Sequence, residues 1–159
     1  MIRLIEENLV RQNKAMLLMY FLLEEEFSRL TQLKPQSVSQ VELSIQELMR
    51  QVAGERASLR RLVARVQPSA QRVREIMPGL SEEEAGSITE LLARLDETEQ
   101  KCGVQAAKNQ QMAMALFDQS KGLLNFMHNQ IKPKSTTAYA RTGRFAKGIN
   151  DARLLSGRL

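Results

Sequence analysis

The side chains able to do covalent or metal chemistry are few. Among 159 residues there is one cysteine, Cys102, and one histidine, His128. As a pair they could work as a thiolate and its base, the imidazole taking the thiol proton. Their spacing opposes this: along one continuous helix, 26 residues set them about 39 Å apart, and only a break at Gly103 would fold them together. Nor can one cysteine and one histidine make a Cys/His zinc site, which needs several ligands at close spacing. Two glutamate runs, Glu24–Glu26 and Glu82–Glu84, supply paired carboxylates, but solvation and a helix N-terminus explain them better than acid–base work does. The eight glycines are scattered, with no strand before them to set up a phosphate-binding loop. The residues thus point away from an enzyme and call for no metal or cofactor. Cys102 reads as a helix-seam residue and His128 as a surface or helix-end residue.

The elements that carry these residues read as helices. Leu, Ala, Met, Gln, Glu and Arg dominate, tryptophan is absent, and aromatics make up 4%; these are good helix formers, and the β-branched and aromatic runs of a sheet protein are missing. A first segment runs from about Ile2 to Leu33, with Leu9, Met16, Tyr20, Leu23, Phe27 and Leu30 on one face and Glu24–Glu26 on the exposed side. Pro35 stops it, and Ser37 or Ser39 is expected to cap the second segment, whose seam is Val41, Ile45, Leu48, Val52, Leu59, Leu62 and Val66. Glu55 falls where another apolar residue would, and Arg50, Arg56, Arg60, Arg61 and Arg65 read as a solvated face. Residues 67–80 form a connector with prolines near both ends and room for one helical turn. Ser81 with Glu84 makes a capping box that opens the third segment. Its seam of Ile88, Leu92, Leu95, Glu99, Cys102, Ala106, Asn109, Ala113, Leu116, Ser120, Leu123 and Met127 runs towards Pro133. The expected fold is all-α: an elongated antiparallel helical bundle or coiled coil of three or so long helices, over residues 1–131, with a C-terminal tail over 132–159.

Charge separates the two parts. Residues 132–159 hold seven basic side chains against Asp151, or +6, so the first 131 residues sum to about −1 of the net +5. The tail is read as basic and partly flexible, with "RFAKGINDARLL" able to form a short amphipathic helix. Nucleic acid and membrane are minor alternatives as partners, because the tail's dispersed charges come with no reading module. The most apolar stretch, Ala15–Leu23, is about half the length of a membrane span. With no signal-peptide core and no partner for Cys102, the expected location is cytoplasmic. Binding through helices remains. Between 110 and 130, Met112, Leu116, Phe117, Leu123, Leu124 and Met127 cover more than one narrow seam, as a bundle core or a partner-binding groove would.

Four stretches occur in a telling order: "LLEEEFSRL" (Leu22–Leu30), "IQELMRQVAGERASLRRLV" (Ile45–Val63), "KNQQMAMALF" (Lys108–Phe117) and the tyrosine tail "AYARTG" (Ala138–Gly143). In them the chain resembles the FlgN family of flagellar export chaperones. The resemblance implies a non-catalytic helical chaperone of flagellar type III secretion. Its substrates would be the hook–filament junction proteins FlgK and FlgL, held by their C-terminal segments. It also implies that Leu116, Phe117, Leu123, Leu124 and Met127, with Met112, form the substrate stripe, and that Tyr139 docks on the export gate FlhA. The residues themselves leave open a structural coiled-coil adaptor with 110–130 as the seam of a homodimer, a chaperone for another secretion substrate, and a nucleic-acid or membrane binder acting through the basic tail.

Overall fold

The computed structural model describes residues 1–131. Tyr139 and the expected tail helix lie outside the described residues. Helix α1 is Ile2–Thr31 and α2 is Pro35–Val66. A single turn, α3 (Val73–Ile76), leads into a 3₁₀ turn at Met77–Gly79, and α4 is Glu82–Ile131. Among the described residues there is no strand. The first compact unit spans Met1–Met114, and the packing described below lies within it.

The chain leaves α1 through a tight reversal. Gln32 and Leu33 donate their backbone N–H groups to Ser28 and Leu30, and Leu33 takes a left-handed conformation with φ of 56°. The expected serine cap does not form. Pro35 occupies the first helical turn, where its missing N–H costs nothing, so α2 begins before either serine. Ser37 and Ser39 instead donate their hydroxyls back to the carbonyls of Lys34 and Pro35. The Arg29 guanidinium ties the reversal together by donating to the Ser37 carbonyl at 2.8 Å. At α4 the expected capping box is present. The Ser81 Oγ accepts from the Glu84 N–H at 3.3 Å, and the Glu84 carboxylate accepts from the Ser81 N–H at 3.2 Å.

Contacts between helices fix the topology. Asn8 and Arg11 of α1 meet Glu55 of α2, while Arg29 meets Ser37, so α1 and α2 are antiparallel. Asn13 of α1 reaches the Leu91 carbonyl and Asn109 of α4 reaches the Leu23 carbonyl, so α1 and α4 run parallel. The connector between α2 and α4 produces this third pass. Its Ala70, Val73 and Ile76 are buried and extend the core.

The core follows the apolar periodicity, with differences that packing explains. Leu9, Met16 and Leu23 of α1 are buried as expected, but so are Ile5 and Met19. Tyr20, Phe27 and Leu30 are only half-buried. Helix α1 touches both α2 and α4, so its covered arc is wider than a two-helix seam and centred differently. Val41, Ile45, Leu48 and Val52 of α2 are buried, with Leu59 and Leu62 half-buried beside Val63. On α4, Ile88, Leu95 and Cys102 are buried, whereas Ala106 and Ala113 are exposed. Glu26 departs from its expected solvent position: it is half-buried and accepts a bond from the Asn109 amide at 2.5 Å.

Two polar clusters cross the core. In the first, the Asn8 amide donates to the carboxylate and the backbone carbonyl of Glu55, at 2.6 and 3.1 Å. Arg11 meets the same carboxylate with two N–H groups, at 3.0 and 3.1 Å, and Gln12 donates to the side-chain amide oxygen Oδ1 of Asn8 at 2.7 Å. This is why α2 carries a glutamate on its seam. In the second, Gln105 donates to Asn109, which in turn donates to the Leu23 carbonyl at 2.8 Å and to Glu26. Among the described residues, no buried side-chain nitrogen or oxygen is left without a partner.

Cys102 sits inside the core with its Sγ 3.5 Å from the Met16 carbonyl oxygen. Burial pushes its thiol above the ordinary cysteine range, which keeps it protonated and unreactive. Iodoacetamide at neutral pH is therefore expected to label the native chain at least tenfold more slowly than the urea-unfolded chain. Equal rates, read by intact mass, would place the thiol at the surface.

Candidate protein-binding face

Helix α4 holds Cys102 and His128 without interruption, Gly103 included. Among the described residues, no group of three or more His, Cys, Asp or Glu is placed to hold a metal ion. What the helix offers is apolar surface. Residues 115–131 belong to the second compact unit, and in them large side chains are left in water. Phe117 is 67% exposed, Leu123 58%, Leu124 66% and Met127 48%, and Phe126 and Ile131 are exposed to a similar degree. Leu116 is half-buried.

The helical repeat sets the shape of this surface. At about 100° per residue, Leu116, Leu123 and Met127 share one strip, and Phe117, Leu124 and Ile131 stand beside it, an arc of roughly 120°. Met112, half-buried, belongs to the first unit. Of the sequence-derived residues, Leu116, Phe117, Leu123, Leu124 and Met127 share one side of the helix in the second unit, with Met112 in the first unit and Tyr139 outside the described residues. Charge hardly enters, since Asp118 and Lys121 are the only formally charged residues between 110 and 131. A contact made here depends on area removed from water, worth about 25 cal/mol per Å². Single exposed apolar residues need no explanation, but a contiguous set marks a binding surface.

Ile131 belongs to this surface although the sequence pattern passes over it, because it lies one turn beyond the last seam position. A second exposed apolar group, Leu17, Leu18 and Phe21 on α1, comes from the stretch whose hydrophobicity stands out in the sequence. Its Phe21 ring leans on Tyr20, with centroids 6.1 Å apart. No helix among the described residues is long and apolar enough to cross a membrane.

A family model described as FlgN protein matches residues 1–146. The chain belongs to the FlgN family, the flagellar export chaperones. No curated protein and no solved structure matches it.

Proposed function

We propose that the chain is a cytoplasmic chaperone for the hook–filament junction proteins FlgK and FlgL. It holds their C-terminal segments on the α4 face and delivers them to the export gate FlhA. Met112, Leu116, Phe117, Leu123, Leu124 and Met127 bind the substrate, and Tyr139 docks on the gate. The observation that carries this reading is the exposed, nearly uncharged apolar surface at residues 116–131, on a chain of a flagellar export chaperone family. An amphipathic segment that lacks its final partners needs an apolar cover that can be shed again. Ordering such a segment on binding consumes part of the contact energy. This keeps dissociation constants on the order of nanomolar to low micromolar.

Calorimetric titration with the C-terminal peptides of FlgK and FlgL tests the proposal. The full chain and a chain ending at Lys132 are expected to bind alike, and the Leu123→Asp/Leu124→Asp variant is expected to lose binding. Absence of binding by every folded variant would remove FlgK and FlgL as substrates, and binding of flagellin or filament-cap peptides instead would reassign the cargo. A stable dimer sealed through residues 110–130, seen as twice the mass in solution, would make the face a subunit seam.

A further inference from the structure

The arginine row of α2 is exposed to solvent as expected, Arg50, Arg56, Arg60, Arg61 and Arg65 alike, and its end borders a cleft. Residues 50–74 contain seven arginines against Glu55 alone, whereas the first 131 residues together sum to about −1. The positive charge of the first unit is therefore local. The end of α2, the connector and α4 enclose a cleft of about 530 Å³, walled by Arg56, Arg60, Arg72 and Arg74. Its floor is apolar: Val63 and Val73 are buried there, and Leu59 and Leu92 are half-buried.

The four arginines differ in their pairing. Arg56 meets Glu99, and Arg74 meets Asp96 at 3.1 Å across the cleft rim. Both partners of the second pair are largely exposed, so that pair is weak and exchangeable. Arg60 and Arg72 are exposed and meet no carboxylate among the described residues. Two unpaired guanidiniums over an apolar floor match a particular shape of partner. Planar N–H forks take carboxylates in bidentate fashion, and the floor takes an aliphatic side chain between them.

We infer that this cleft is a second docking surface, and that its occupant is an acidic protein segment with one apolar anchor side chain. Charge complementarity selects the acidic character, and the concave apolar floor selects a polypeptide. A bilayer or a nucleic-acid backbone would engage a broad run of unpaired cations, whereas here Arg56 and Arg74 are paired with Glu99 and Asp96, which leaves Arg60 and Arg72 over a small apolar floor. The inference does not rest on the α4 face: the two surfaces share no residue.

The test uses fluorescence anisotropy on the full chain. The probe is a labelled peptide of Glu and Ala, about twelve residues long, with one central Leu. The wild-type chain is expected to bind it, several-fold more weakly at 300 mM than at 50 mM salt. Arg60→Glu/Arg72→Glu is expected to weaken binding by about tenfold or more, and the milder Arg60→Gln/Arg72→Gln by less, with far-UV circular dichroism unchanged in both. Leu123→Asp/Leu124→Asp, and the tail variant Arg141→Gln/Arg144→Gln/Lys147→Gln, are expected to bind like wild type. Any one of three results overturns the inference: no binding by wild type, undiminished binding by the charge-reversed cleft, or loss in the tail variant instead. Tighter, cleft-dependent binding of phosphatidylglycerol vesicles or of a thymidine oligonucleotide would also overturn it, in favour of phosphate recognition.

Discussion

Leu9→Ala is expected to lower the unfolding free energy by about 2–5 kcal/mol. Leu9 is fully buried in the shared core of the first unit. Shortening it forfeits the transfer energy of the removed carbons and leaves a cavity that three long helices cannot readily close. Leu123→Ala removes the same atoms from an exposed position and is expected to change stability by less than about 0.5 kcal/mol. Urea titrations of the two variants, compared at unchanged denaturant slope, make the contrast quantitative. If Leu123→Ala cost as much as Leu9→Ala, the α4 face would be packed in solution, which would favour a subunit seam over an open binding surface.

Glu55→Ala is expected to destabilise by about 1–3 kcal/mol, although Glu55 itself is only half-buried. The loss falls on Asn8, which is fully buried and gives its amide hydrogens to Glu55. Without the carboxylate, one buried donor loses its acceptor and Arg11 loses its bidentate partner. Glu55→Gln keeps an acceptor for Asn8 and is expected to lose clearly less. Replacing the cluster together, as Asn8→Leu/Gln12→Leu/Glu55→Leu, removes the buried amides that would otherwise lose their acceptors and is expected to recover stability relative to Glu55→Ala. Equal losses for the Ala and Gln variants would show that the cluster contributes through packing alone.

The sequence was legible where a local rule acts alone. Ser81 and Glu84 define the start of α4 because a capping box needs only residues three apart, and the spacing of Val41, Ile45, Leu48 and Val52 predicts the buried side of α2. It was less legible where two partners compete for one helix. The apolar rhythm of α1 points at Tyr20, Phe27 and Leu30, but contact with both α2 and α4 buries Met19 and Ile5. Buried Asn8 and Gln12 escape a hydrophobic pattern by their nature, and although Asn109 falls on the expected seam of α4, its partner 86 residues away does not show in the sequence. The candidate face shows a deeper limit. Leu95 and Leu123 occupy equivalent positions in one repeat, and the pattern cannot tell which is covered; burial separates them. The arginine cleft was hidden for a related reason. Arg56 and Arg60 lie on α2, but Arg72 and Arg74 come from the connector, and only the fold brings them to one opening.

The parallel placement of α1 and α4 also sets an order of events in time. The bond at the α1–α2 reversal spans 8 residues and those to Glu55 span 44 and 47, while α1 reaches α4 across 78 to 86. Closing the longer loops costs more chain entropy, about 0.6 kcal/mol for each doubling of length. The α1–α2 hairpin, the shorter closure, is therefore expected to assemble first, and during synthesis it emerges from the ribosome before α4 is made. Until α4 arrives, the Leu23 carbonyl and the Glu26 carboxylate are hydrated, and the apolar side of α1 lies open beside them. A newly made chain is thus expected to pass through a state with this apolar side uncovered, and the docking of α4 ends it.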